Sequence, residues 1–390
     1  MSARRSAASS PSAVRVAVAG LGWMGGLHAR CYRRFAEAYP ELDVSFSLAV
    51  AASRAESLRE EAERRWGFER TVAAPGAAAT AADVDLVSIC TPNSEHADLA
   101  VSAANAGKAV WIEKPVGRTL EEVQRVHDAV QRNGTVLVVG HNYRSSPAVR
   151  ELRTRIADGR IGTVEHVRGH YDAGFATDPA APLTWRFSEA QAGGGASSDI
   201  LSHLIDLAQY LNGPVAEVVG RLRTVHASRP LPAGTGGHFG GRALNEVGEV
   251  DNDDIAVTLA SFANGSFGTL NASRVSRSGE NALVIEIHGS LGYASWNSEH
   301  PNEFLWRDRT MSAVSKEYVD AGMPEYGRFL PGPGLGIGFD DVKLIELGEL
   351  VKLLRGMPSE AATIDDALRV ARVEDALRRS TASGSWIAVS

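Results

Sequence analysis

Gly20-Leu21-Gly22-Trp23-Met24-Gly25 closes the apolar run of residues 14–19 and opens a helical pattern over 24–38. No other feature limits the fold so strongly. A G-x-G-x-x-G turn between a strand and a helix belongs to a βαβ unit and uses each glycine for a different reason. Gly20 permits the sharp turn, Gly22 lets the backbone approach a pyrophosphate, and Gly25 lets helix and strand pack closely. A diphosphate there meets free N–H groups and the positive end of the helix dipole, so Trp23 and Met24 join the expected cofactor site.

The alternation continues. Strands predicted over 44–51, 85–90, 109–112 and 135–140 are separated by helical stretches over 54–66, 95–106 and 120–133. Such alternation implies right-handed crossovers and a doubly wound parallel sheet of the Rossmann type. Three segments are expected: a disordered tail over 1–13, a dinucleotide-binding domain over 14–145, and an α/β domain for substrate binding and oligomerisation over 146–390.

The second half has a different rhythm. Helices are predicted over 146–158 and 196–211, and strands over 163–171, 215–225, 255–262, 266–276, 282–288 and 292–296. Consecutive strands joined by turns such as Asn264-Gly265 favour a large open sheet, mainly antiparallel, with helices on one face. Gly/Pro-rich excursions near 228–248 and 323–338 are too long for plain connections. Helical periodicity returns over 341–354 and 363–379.

Composition narrows the function. Hydrophobic residues make up 44% and charged residues 22%, as in an ordinary globular protein. The net charge is −7, and no clustered basic stripe suggests a nucleic-acid partner. No apolar run is long enough for a membrane span. The first dozen residues lack the apolar core of a signal peptide. The two cysteines, Cys31 and Cys90, read as a reduced pair in a cytoplasmic protein.

The end of the second strand reads Ala51-Ala52-Ser53-Arg54. An acidic residue there would hold a ribose 2′-hydroxyl and repel a 2′-phosphate. Ser53 and Arg54 offer a hydroxyl and a guanidinium, which favours NADP over NAD. Lys114 follows the apolar strand 109–112 in Glu113-Lys114-Pro115, at the carboxyl end of a parallel strand where open α/β sheets bind ligands. Only five of the 40 basic residues are lysines, so a lysine at this point stands out. An ammonium there can hydrogen-bond a substrate hydroxyl and stabilise charge developing on its oxygen.

Asp199 and His203 are four apart after Gly193-Gly194-Gly195, so one continuous helix would put them on one face. A histidine there can take a proton from a secondary alcohol as hydride leaves the same carbon. No third His or Cys stands at metal-ligand spacing, and no metal is expected.

Together with Thr91-Pro92-Asn93 and Asn142-Tyr143-Arg144, these motifs resemble the glucose-fructose oxidoreductase / inositol dehydrogenase (Gfo/Idh/MocA) family. The resemblance implies Lys114, Asp199 and His203 as catalytic residues. It implies cofactor contacts from Thr91, Pro92, Asn93, His96, Glu113, Lys114 and Asn142, in an active site between the domains. Tyr143, Arg144, Trp185 and Arg186 are expected to line the substrate. Residues 182–187 and 335–339 resemble the family's glycoside 3-dehydrogenases, the levoglucosan-oxidising enzymes among them. The implied activity is an NAD(P)-dependent oxidoreductase moving hydride between nicotinamide and a secondary hydroxyl or ketone of a sugar, glycoside or cyclitol, in a homodimer or homotetramer. The same groups would also serve a hydrolase or lyase that oxidises its substrate transiently with a tightly held nicotinamide. A non-enzymatic nucleotide-binding regulator is a third class, and it need not keep Lys114, Asp199 and His203 together.

Overall fold

The computed structural model describes residues 12–234, 242–278 and 281–390. Of the expected tail, residues 1–11 lie outside that set, as does 235–241 within the first long excursion. The N-terminal half runs β1 (Ser12–Ala19), α1 (Trp23–Ala38), β2 (Val44–Ala52), α2 (Glu56–Glu61), β3 (Arg70–Val72), α3 (Pro75–Ala79), β4 (Leu86–Ile89), α4 (Asn93–Asn105), β5 (Ala109–Ile112), α5 (Leu120–Asn133) and β6 (Leu137–Val139). The six strands pair in parallel in the order β3-β2-β1-β4-β5-β6. β4 is buried along its whole length and β5 nearly so, because helices cover both faces of the sheet. The order reverses between β1 and β4, and this switch point opens the ligand crevice at the strands' carboxyl ends. β3 and α3 escape the sequence reading because each is too short to show a period, and α3 is Pro75-Gly76 followed only by alanines.

The second half contains α6 (Pro147–Ala157), β7 (Val164–Ala173), α7 (Glu189–Ala192), α8 (Ala196–Asp199), α9 (Leu201–Asn212), β8 (Val215–Arg223), β9 (Ser228–Pro232) and β10 (Ala243–Glu249). It continues with β11 (Ile255–Phe262), β12 (Phe267–Ser273), β13 (Asn281–Gly289), β14 (Tyr293–Asn297), β15 (Glu303–Arg307), β16 (Ser315–Tyr318), α10 (Phe339–Leu354), α11 (Ile364–Ser383) and β17 (Ile387–Ala388). Nine strands form one open sheet in the order β16-β15-β14-β13-β7-β12-β11-β8-β17. Only the β7–β12 pairing is parallel. Val167, Leu270 and Ile285 point from this sheet into one core with Leu201, Leu204 and Ala208 of α9. The opposite face leaves Val257, Leu259, Phe267 and Tyr318 exposed, as strand alternation requires when helices cover only one side.

Two differences from the expected layout matter for the site. The helix read over 196–211 is broken: α8 ends at Asp199, and Ile200 at φ −119° separates it from α9. Asp199 and His203 are therefore brought together by a corner rather than by one helical face. The chain also returns to its first domain. Leu344, Leu347 and Leu350 of α10 pack with Val16, Leu27 and Trp111, while Ile364 and Leu368 of α11 join the layer of α4 and α5. Thr363 bridges Val138, extending the edge beside β6. A boundary near residue 146 thus separates the domains along the sequence but not at the C-terminal helices.

Candidate active site

The glycine loop is shaped for close approach. Gly20 has φ +94°, and a Cβ there would lie 2.5 Å from the Cys90 carbonyl carbon and oxygen. At Gly25 a Cβ would fall 1.9 Å from the Gly20 oxygen, so any larger residue would push α1 off β1. Gly22 differs: a Cβ there would meet nothing within 4 Å, leaving a cradle in front of the helix N-terminus. Trp23 is exposed beside it and stacks on Phe339 at 5.4 Å between ring centroids.

Lys114 leaves β5 on the crevice side, followed by a cis peptide bond to Pro115. Its Nζ donates to Asp199 Oδ1 at 2.9 Å and to the Asp199 carbonyl oxygen at 2.6 Å. Burial alone would push the Asp199 carboxyl up, but the Lys114 ammonium and the Arg186 guanidinium more than offset it and hold it well below the usual carboxylate range. His203 lies next to this pair and is buried. Burial lowers its pKa well below the ordinary histidine value, reinforced by Lys114 and His141, so the ring is neutral at neutral pH. The attraction of Asp199 does not prevail over desolvation. Around the His203 ring stand His141 at 5.6 Å, Tyr143 at 5.0 Å and Tyr171 at 6.3 Å between centroids. The hydroxyls of Tyr143 and Tyr171 are 3.0 Å apart.

Several buried polar atoms here have no protein partner: Thr91 Oγ1, His141 Nδ1, Asn142 Nδ2 and His203 Nδ1. A buried donor or acceptor left alone costs about 1–3 kcal/mol, so such a group in one crevice calls for a polar ligand. With the open cradle at Gly22, these atoms fit a nicotinamide dinucleotide. Among the described residues no group of three or more His, Cys, Asp or Glu could hold a metal.

Other residues expected at the site have side chains occupied elsewhere. Asn93 Nδ2 donates to the Ala192 carbonyl oxygen at 2.9 Å, tying α4 to the second domain. The His96 ring nitrogens lie 2.7 Å from the Pro115 oxygen and 2.8 Å from the Thr91 oxygen, so His96 joins two loops rather than facing a ligand. The Glu113 carboxylate turns away from Lys114 into the core, where it meets Lys343 and His28. Arg144 is buried, and its Nε and Nη2 take both carboxylate oxygens of Asp206 at 2.7 and 2.6 Å, with Asp366 at 3.2 Å. These pairs correct the expectation that Arg144 meets substrate. Ser53 Oγ accepts from the Ala55 N–H, and the exposed Arg54 reaches Glu95 at 2.6 Å. Half-buried Trp185 carries the Arg186 guanidinium 4.3 Å above its ring.

Sequence reasoning missed Asp253. Its Oδ1 accepts from the Gly195 N–H and Ser197 Oγ, and its Oδ2 from the Ser197 N–H, at 2.7–2.9 Å. Gly195 must be glycine, since a Cβ would lie 1.8 Å from the Asp253 carbonyl oxygen. This clasp fixes the start of α8 and hence Asp199 at its end. The only advance signal was the acidic stretch 251–254 itself, and nothing in the sequence ties Asp253 to Gly195, 58 residues earlier. His141, directly before Asn142, was also overlooked.

Two family models match this chain, "Oxidoreductase family, NAD-binding Rossmann fold" over residues 14–141 and "GFO/IDH/MocA C-terminal domain" over 149–295. A levoglucosan dehydrogenase of Pseudarthrobacter phenanthrenivorans is 36% identical over 96% of this chain and 98% of its own. The chain belongs to the GFO/IDH/MocA oxidoreductase family. It is a nicotinamide-dependent dehydrogenase. A scyllo-inositol 2-dehydrogenase (NAD(+)) of Bacillus subtilis is 30% identical over 74% of this chain and 75% of its own. Among solved structures, levoglucosan dehydrogenase in complex with NADH superposes with a TM-score of 0.91 at 33% identity, covering 97% of this chain and 100% of that one. The complex of that enzyme with NADH and levoglucosan gives 0.90 at 33%, with the same coverage.

Proposed function

We propose that the protein oxidises a secondary hydroxyl of a sugar, glycoside or cyclitol to the ketone, and that the reacting carbon of a pyranose substrate is C3. The observation that carries this reading is the meeting of Lys114, Asp199 and neutral His203 beside buried polar atoms that lack partners. A bound nicotinamide supplies the hydride acceptor. Lys114, held by Asp199, donates to the substrate oxygen and stabilises negative charge as it develops. His203 accepts the hydroxyl proton, for which a neutral imidazole is required. Similarity to a levoglucosan dehydrogenase along nearly the whole chain supports a sugar substrate, and the tyrosine pair at 143 and 171 supplies hydroxyls for it.

The nucleotide is NADP in preference to NAD: no carboxylate stands among residues 53–55 directly after β2, and Arg54 can exchange Glu95 for a 2′-phosphate. The protein works in the cytoplasm as a homodimer or homotetramer, with the open sheet face as the association surface. Among the described residues no helix is long and apolar enough to cross a membrane.

A spectrophotometric screen of sugars, glycosides and inositols with NAD+ and NADP+ tests the reading. Accumulation of reduced nucleotide with a pyranoside is expected. Turnover of substrate without net nucleotide reduction would instead indicate transient redox in a hydrolase or lyase.

A further inference from the structure

Directly beneath the proposed catalytic lysine lies a buried polar network that no step above uses. Successive residues of an extended chain project to opposite sides, so Glu113 enters the core while Lys114 enters the crevice. Lys343 of α10, wholly buried, places Nζ 2.6 Å from Glu113 Oε1 and 2.9 Å from Glu346 Oε1. His28 Nε2 approaches the same Glu113 oxygen at 3.0 Å, and Trp111 Nε1 donates to Glu346 Oε1 at 2.6 Å. On the far side, His28 Nδ1 lies 3.0 Å from Ser88 Oγ, itself 2.7 Å from the Tyr32 hydroxyl. One tautomer satisfies this row: Tyr32 donates to Ser88, Ser88 to His28 Nδ1, and His28 Nε2–H to Glu113. Burial keeps His28 neutral, its pKa lowered to about 4. Lys343 is then the cation that balances Glu113.

We infer that Lys343 is a positioning residue for catalysis: its ion pair with Glu113 holds the end of β5 and so aims Lys114 at the substrate oxygen. This rests on the role proposed for Lys114. Three observations beyond the pair support it. A Cβ at Gly140 would lie 2.8 Å from Glu113 Oε2 and 2.9 Å from Lys343 Nζ, so the end of β6 is glycine where the pair passes beneath it. The Gly140 N–H also donates to the Ile112 carbonyl oxygen at 2.8 Å, and the Glu113 N–H to Ile89 at 2.9 Å, so β4, β5 and β6 all converge on this point. Finally, α10 is fixed to α1 by Arg30–Asp340 and Arg34–Asp341, each at 2.8 Å, so the cation arrives on a rigid element.

Without Lys343, Glu113 would be a buried carboxylate facing Glu346, left to take up a proton, to charge His28 or to turn, and each outcome changes the contacts that hold the end of β5. Small displacements of a catalytic group cost rate more than affinity. Lys343→Met is therefore expected to lower kcat roughly 10- to 100-fold while nucleotide affinity stays the same. Glu113→Gln/Lys343→Met is expected to lose no more than the worse single variant, because both changes break the same pair. A purely packing role for Lys343 predicts losses that multiply, and that result would overturn the inference, as would wild-type kcat in folded Lys343→Met. If Lys343→Met does not fold, Glu113→Gln decides alone: reduced kcat with unchanged nucleotide affinity supports the inference, and wild-type kcat overturns it. Adding Lys343→Met to Lys114→Ala should cause no further loss. Wild-type turnover in Lys114→Ala alone would instead overturn the reading of the site itself.

Discussion

Lys114 Nζ donates to the side chain and the main chain of Asp199 at once, at 2.9 and 2.6 Å, and so joins the end of a Rossmann strand to the corner between two helices of the second domain. The two hydrogen bonds remove much of the freedom of a long amine before substrate arrives. They also make the role proposed for Lys114 depend on whatever fixes Asp199.

Asp253 fixes it. Asp253→Ala leaves the Gly195 and Ser197 N–H groups buried without acceptors, which is expected to cost about 2–4 kcal/mol of stability. Turnover should fall further than the melting temperature alone explains. Denaturant melts and steady-state kinetics on the same preparation check this, and unchanged kcat in the folded variant would contradict it.

Arg144 serves the architecture. Arg144→Met leaves Asp206 buried beside Asp366 without its partner, a loss expected to reach about 3–5 kcal/mol. A variant as stable as the wild type but with a raised KM for sugar would return Arg144 to the substrate pocket.

As the proposed base, His203 is expected to set the acid limb of the rate profile. Its pKa is lowered below the ordinary histidine value, first by burial and then by Lys114 and His141, so the base stays unprotonated as pH falls through 6.5. Activity for alcohol oxidation is expected to disappear only below that pH. A kcat/KM profile measured from pH 4.5 to 8 shows where the limb lies. A limb centred at or above 6.5 would contradict the buried, neutral state.

Much of this was legible in advance because it depends on local pattern. The glycine loop, the strand before it and the alternation through residue 140 each carry their own periodicity, so the parallel sheet follows. Lys114 was visible because a strand-end lysine is conspicuous in an arginine-rich chain. What failed was whatever depended on a distant partner. Nothing near Glu113 announces that Lys343, 230 residues later, will turn its carboxylate into the core. Nothing near Arg144 names Asp206 as the owner of its guanidinium. The break at Ile200 was hidden because no Gly or Pro marks it within 196–211, and the Asp253 clasp that orients α8 comes from another part of the chain.

The preference proposed for NADP rests on Arg54. Arg54→Ala is expected to weaken NADP+ roughly tenfold while leaving NAD+ nearly unchanged, because only the 2′-phosphate loses a charged hydrogen-bond partner. Parallel titrations with both nucleotides measure the ratio. An equal effect on both, or none, would contradict the assignment and make Arg54 simply the partner of Glu95.

The most direct measurement is turnover of Lys114→Ala beside its nucleotide affinity. Oxidation of the best sugar found in the screen is followed at 340 nm, and binding by quenching of tryptophan fluorescence. Turnover is expected to fall by roughly 10²- to 10⁴-fold while the dinucleotide binds as it does to the parent protein. Turnover near the parent value would contradict the account at its centre.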